Sequence, residues 1–150
     1  MNVKRYAYCR QRGLIDYALL LLAAVTAFSV PFYNDYAKRT RVAEGLVLVT
    51  PAKVALSEYY AEHHSFPSGR AEDIHELLRL PHPLAMRGTA VSQVSLRPDG
   101  SIHVIYNEKV QNGAQVILTP ELTDDRIVWH CHSPNITKQA WLPLDCRNTD

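Results

Sequence analysis

Residues 14–30 (LIDYALLLLAAVTAFSV) constrain this chain more than any other stretch. The run is 17 residues long and its only charged member is Asp16. As a helix rising ~1.5 Å per residue it covers roughly 25 Å, just short of a bilayer's hydrocarbon core. A buried core helix seldom needs four consecutive leucines beside a basic cluster. A cleaved secretory signal needs a cut near its C-terminal end, and Ala24 to Ser29 would permit one. Yet the helical pattern continues past Pro31 without a break, so a membrane-spanning stem is the expectation.

The flanks orient the stem. Lys4, Arg5, Arg10 and Arg12 give the first 13 residues a charge of +4 with no acid. Positive flanks stay cytoplasmic, which places everything beyond Val30 across the membrane. The remainder carries 12 basic and 15 acidic residues, a net of −3. The overall charge of +1 therefore hides a basic leader and a mildly acidic body. Asp16 is the residue out of place. A carboxylate costs roughly 2.5–3.5 kcal/mol at mid-membrane and usually has a partner there, whereas near the interface the cost is small. Both readings of Asp16 stay open on physics alone.

These features together resemble the N-terminus of a bacterial type IV pilin: Arg12-Gly13, then Leu14-Ile15-Asp16, an apolar helix, and Val30-Pro31 followed by Tyr33, Asp35 and Tyr36. The resemblance implies a leader of residues 1–13, cut after Gly13 by a prepilin peptidase on the cytoplasmic side. It implies that Leu14 becomes the N-methylated first residue and that the acid pairs with a neighbouring subunit's terminal amine. The family order Gly-Phe-Thr-Leu-Ile-Glu is shortened here. The acid is an aspartate two positions early, and the stem is two residues shorter. Cys9 falls in the leader and would leave with it; no clear lipobox surrounds it.

A chain of 150 residues with nine prolines allows one domain beyond the stem. Phe32 to Glu62 is expected to continue the helix. Val42, Leu46, Val49, Leu56 and Tyr60 recur at helical spacing, Lys53 falls on the same stripe, and Pro51 should kink or locally loosen the helix. Residues 49–62 (VTPAKVALSEYYAE) also resemble pilin sequence. Ala71 to Leu80 reads as a short helix with Ile74, Leu77 and Leu78 on one side, stopped by Pro81 and Pro83.

From Ala90 the period switches to two. Strands are expected at Val91–Leu96, Ile102–Tyr106, Gln115–Leu118 and Arg126–Cys131, with Pro120 closing the third. Pro98-Asp99-Gly100, Asn112-Gly113 and Asp124-Asp125 supply the turns. The expected class is α+β: a long helix packed on a four-stranded antiparallel sheet.

Cys131 and Cys146 in an exported body most simply form one disulfide. A metal site from His130, Cys131, His132 and Cys146 is the alternative, but neighbouring strand residues point to opposite faces. Trp129-His130-Cys131 and Leu142-Pro143-Leu144-Asp145-Cys146-Arg147 resemble the pilin C-terminal disulfide loop. This match, over a hundred residues from the first, makes the resemblance specific.

Catalytic constellations are thin. The serines lack an elbow-like context and no phosphate-binding glycine pattern occurs. Of seven histidines, His63, His64, His75 and His82 read as solvated groups at a helix end and in a connector. Asn135-Ile136-Thr137 matches a glycosylation acceptor, a pattern common by chance. No enzyme, cofactor or metal is expected.

The resemblance implies a subunit held in the bacterial inner membrane with a periplasmic head (residues 32–150). It would then assemble with other pilin subunits into an extracellular pilus, a fibre of the kind that adheres to host or abiotic surfaces and drives surface motility. The early Asp16 suggests poor entry into fibres, or entry only at special positions such as the tip. A type II secretion pseudopilin would share the stem but not the Cys131–Cys146 loop. A DNA-binding minor pilin would want a basic stripe that the acidic body lacks. A plain anchored periplasmic domain is the remaining alternative.

Overall fold

The computed structural model describes residues 3–124 and 126–147, with the side chains of residues 3–14 and 28–31 excepted. Helix α1 runs Val3–Leu48 and α2 Thr50–His63, separated by a one-residue turn at Val49. Pro51 sits in the first turn of α2, where its missing N–H has no intrahelical acceptor to serve. The expected kink or loosening takes the form of a helix restart, and the Lys53 backbone N–H donates to the Val49 carbonyl at 3.0 Å. The chain divides into two compact units, residues 1–36 and 37–150.

In the second unit, residues of α1 and α2 pack on an antiparallel sheet of order β1-β2-β3-β4. Its strands are β1 (Val91–Leu96), β2 (Ile102–Tyr106), β3 (Gln115–Thr123) and β4 (Arg126–His132). The alternation in β2 turns Ile102, Val104 and Tyr106 inward. Val116 and Leu118 of β3 continue that face. In β1 the register slips between Val91 and Gln93, which interrupts its alternation.

Pro120 does not close β3. The strand continues to Thr123, paired with β4. Strand β2 begins at Ile102, opposite Leu118, so Pro120 has a ladder neighbour on one side only, and a proline is tolerated where no second neighbour asks for its N–H.

The buried helix stripe also differs from the apolar periodicity. The fully buried positions are Val42, Val49, Ala52 and Leu56, with Gly45 also buried, whereas Leu46 and Tyr60 are half-buried. The contact favours small residues because the sheet comes close. An added Cβ at Gly45 would stand 2.8 Å from Cε1 and 2.9 Å from Cζ of Tyr106. The Tyr106 hydroxyl donates to the Val42 carbonyl at 2.9 Å. Burial, helped by the nearby Glu44 carboxylate, pushes this phenol's pKa up, so it stays protonated and donates. Lys53 lies beside the stripe, its ammonium 5.6 Å from the Trp129 ring, and partial burial lowers its pKa.

Helix α3 (Ala71–Leu77) ends three residues sooner than its sequence suggests. Arg79 adopts φ 54°, Arg79 N–H donates to Glu76 and Leu80 N–H to His75. That is a Schellman close, in which a left-handed residue satisfies the last carbonyls. The turn buries His75 (1% exposed) and leaves Leu77 exposed, reversing two expectations. His75 Nδ1 meets the Pro81 carbonyl at 2.6 Å, and Nε2 has no partner among the described residues. Desolvation, opposed by the Pro81 carbonyl, lowers the His75 pKa below its ordinary 6.5.

Gly45→Ala should destabilise the head by about 2 kcal/mol in urea unfolding, overpacking outweighing the ~1 kcal/mol gained in helix propensity. Adding Tyr106→Phe should make the pair cost less than the sum of its parts, because the hydroxyl carries part of the clash.

Because His75 is held neutral, the unfolded chain binds the extra proton first. Stability should be full above pH ~6.5 and fall as pH drops below it. His75→Gln should flatten that acid limb in urea titrations run at several pH values.

Candidate assembly site

The side chains of residues 15–27 are all exposed, Leu20 at 69% and Val25 at 65% among them. Among the described residues none covers this apolar surface. Such a helix belongs among lipid tails or other apolar helices. It is the one helix among the described residues long and apolar enough to cross a membrane. Thr26 returns its hydroxyl to the Ala23 carbonyl at 3.0 Å, satisfying a polar group within its own helix. Asp16 is exposed and is the sole charged side chain of residues 15–27. Phe32, Tyr33 and Tyr36 follow, each at least 70% exposed, the amphipathic rings that favour a membrane–water boundary. Gly13 and Leu14 lie within α1, and the side chains of Leu14 and Cys9 fall outside the described residues.

The second feature is the C-terminal loop. Cys131 and Cys146 form a disulfide with Cα atoms 4.5 Å apart. The bond takes both sulfurs that the metal alternative required. Two short 3-10 turns, Gln139–Trp141 and Leu144–Cys146, shape the enclosed chain. Trp141 and Leu142 point from it into the core. The Lys38 ammonium sits 3.8 Å from the Trp141 ring centroid, a cation–π contact tying α1 to the loop.

Asn135 fastens the loop's near side. Its Oδ1 accepts from Gln115 N–H at 2.8 Å and its Nδ2 donates to the Gly113 carbonyl at 3.0 Å. Gln111 completes the clasp, donating to the Asn135 carbonyl and accepting from the Thr137 N–H and hydroxyl. The Asn135 amide is therefore committed to holding the β2–β3 turn, a structural use for the acceptor-like triplet.

His130 pairs with Glu121 across the β3–β4 ladder, both side chains largely exposed. Among the described residues no three metal-ligating side chains gather. A hollow of about 310 Å³ beside Glu44, Val47, Leu48, Gly88 and Val91 is mostly apolar and lacks convergent polar groups. The arrangement is built for packing: one bare apolar helix and one rigid head. Periodicity does not point to Gly45 or Trp141; only their near neighbours, a helix and a cysteine, hint that the backbone is approached closely there.

A family model described as pilin (bacterial filament) matches residues 38–147. A fimbrial protein of Neisseria meningitidis serogroup A is 24% identical over 131 residues, covering 83% of this chain and 74% of that protein. The type IV major pilin protein PilE of Neisseria gonorrhoeae is 25% identical over 138 residues, covering 87% and 78%. The fimbrial protein EcpC of Eikenella corrodens is 27% identical over 149 residues, covering 92% of each.

Replacing Cys131 and Cys146 by serine should cost about 3 kcal/mol of head stability in urea unfolding, the chain-entropy value for a loop of this size. Adding reductant to the unsubstituted protein should reproduce the loss, and should do nothing to the double variant.

Proposed function

Because the chain belongs to the pilin family of bacterial filament proteins, we propose that it is a structural subunit of a type IV pilus. The observation that carries this reading is the apolar helix of residues 15–27, bare along its whole length and joined in sequence to a pilin-family head. In the inner membrane that surface is solvated by lipid. In a filament the stems of neighbouring copies replace the lipid, and the heads face outward. Lipid and protein are similarly apolar, so the exchange has little intrinsic preference, and polar contacts must supply specificity.

On this reading residues 1–13 are a leader removed after Gly13 by a prepilin peptidase, and Leu14 is the mature N-terminus. Asp16 then sits two residues into the mature chain, where it can pair with the terminal amine of an adjacent stem. Its early position shifts that pairing by ~3 Å along a helix relative to the usual spacing. The head lies in the periplasm before assembly and on the fibre surface afterwards.

Mass spectrometry of sheared surface fibres should find a chain beginning at Leu14. A chain that retains residues 1–13 and stays in the membrane fraction would mean an anchored domain that does not polymerise. Asp16→Ala should reduce sheared fibre about tenfold with the membrane pool unchanged, the loss expected for one polar contact of roughly 1.4 kcal/mol. Unchanged fibre yield would remove Asp16 from assembly.

A further inference from the structure

The outer edge of β4 is an open ladder. Tyr106 N–H donates to the Ala114 carbonyl at 2.8 Å, which fixes the hydrogen-bonding parity of the β2–β3 pair. The bonded pairs recur every second residue, at Val104–Val116 and Ile102–Leu118. Residues 116 and 118 of β3 therefore turn their backbone groups to β2, while 117, 119, 121 and 123 turn theirs to β4. Their partners His132, His130, Val128 and Arg126 are spent on that pairing. The N–H and C=O groups of Ile127, Trp129 and Cys131 then point away from the sheet. Among the described residues no hydrogen bond reaches them.

Native edges are blunted by proline, lysine, a bulge or a cover. The β1 edge has a cover, since the Val94 N–H is taken by the Pro83 carbonyl at 3.3 Å. At β4 the disulfide brings Cys146 beside Cys131, but residues 126–130 run on from there with no proline, no lysine and no break in register. Their apolar members are incompletely covered: Val128 is 38% exposed, and Ile127 and Trp129 are half-buried. Arg126 is exposed and has no carboxylate within ion-pair distance among the described residues.

We propose that the β4 edge of one copy pairs antiparallel with the β4 edge of a second copy, about a two-fold axis at Val128. In that register Ile127 and Trp129 of one copy exchange backbone hydrogen bonds with Trp129 and Ile127 of the other, which closes the open groups between them. On the helix-facing side Ile127 meets Trp129, a β-branched residue against an aromatic one. On the outer side Val128 meets Val128. Arg126 falls opposite His130, which already holds the Glu121 carboxylate, so an unpaired guanidinium meets an acid-bearing position of the other copy. Moving the axis to Ile127 or Trp129 would put Arg126 opposite Val128 or His132, away from that acid. The strand matches itself reversed, which selects a second copy over an unrelated extended chain. A two-fold contact closes on itself, so it joins two subunits without extending an array, and it stands apart from the filament reading.

Val128 would face its counterpart at a non-hydrogen-bonded position, where Cα atoms lie ~4.5 Å apart, a separation that a disulfide spans. The test expresses the full chain carrying Cys9→Ser and Val128→Cys with a pilus assembly system and oxidises the cells with copper phenanthroline. Membrane and sheared fractions are then run on non-reducing gels. Disulfide-linked dimer should exceed that from Thr119→Cys, exposed on the same sheet face one strand inboard, by about tenfold or more, because that position is too far from its counterpart to bridge. Adding Ile127→Pro removes an outward N–H without touching the β3–β4 ladder and should lower dimer several-fold. Adding Arg126→Glu should do the same, since it turns an acid toward Glu121 of the other copy. An unchanged amount of chain with the Cys131–Cys146 bond intact shows that each head still folds. The proposal is overturned if Val128→Cys gives no more dimer than Thr119→Cys, or if either added substitution leaves dimer within about twofold. Dimer in membranes of cells that shed no fibre would leave this contact standing while the filament reading fell.

Discussion

A close approach between helix and sheet, Tyr106 over Gly45, shapes the geometry of the head. The phenol reaches across the core to donate to the Val42 carbonyl at 2.9 Å, an unusual partner because that carbonyl already lies within a helix. An oxygen in helix carries a spare lone pair, and here it satisfies a hydroxyl that would otherwise be buried unpaired. The ring can lie this close only because residue 45 has no side chain. Residues 42, 45, 49, 52 and 56 then form a stripe of small and medium side chains, and the sheet's inward residues fill against it. The restart at Val49 keeps that stripe on the sheet across the proline.

A sheet of four strands leaves two edges to manage. At β1 the Val94 N–H is taken by the Pro83 carbonyl of the connector at 3.3 Å, so irregular chain blunts that edge. At β4 the disulfide holds the C-terminal loop against the last strand. That loop delivers Trp141 and Leu142 to the end of the core. The Asn135 and Gln111 clasp does with hydrogen bonds, at the β2–β3 turn, what the disulfide does covalently at β4. The head is thus closed by two different kinds of fastener, only one of which reductant would remove.

Much of this was legible in the amino acids. Strands β1 and β2 fall where their alternation and the Pro98-Asp99-Gly100 turn place them, because each is half-buried and bounded by residues with specific backbone demands. The disulfide was legible because only two cysteines, Cys131 and Cys146, lie beyond the apolar run. What the pattern misplaced has one common cause, that hydrophobicity marks burial but not proximity. Gly45 and Ala52 are buried because a neighbour comes close, whereas the larger Leu46 is turned partly outward. His75 is buried because a left-handed Arg79 folds the connector over it, and arginine gives no advance sign of that conformation. Pro120 was misread for a related reason. Whether proline ends a strand depends on how far the neighbouring strand extends, which is a property of register and not of the residue. The N-terminal assignments, by contrast, rest on chemistry between molecules. The roles expected of Gly13, Leu14 and Asp16 involve a peptidase and another copy, so no contact within one chain bears on them.

One helical stretch of this chain carries two kinds of surface, and its sequence divides them sharply. Residues 15–27 offer apolar surface in every direction and one carboxylate. Such a surface associates readily but discriminates little, because a lipid tail and a leucine are equivalent neighbours. Residues 38–62 present the reverse: one buried stripe, and a polar remainder that begins with Lys38, Arg39 and Arg41 and ends with Glu58 and Glu62. Water weakens each of those charges to a contact of at most about 1 kcal/mol when exposed, and salt screens it beyond ~8–10 Å. In a repeating assembly, however, a weak contact recurs at every subunit, and a wrong register would bring like charges together each time. In such an array polar contacts between heads discriminate, and apolar stems supply cohesion.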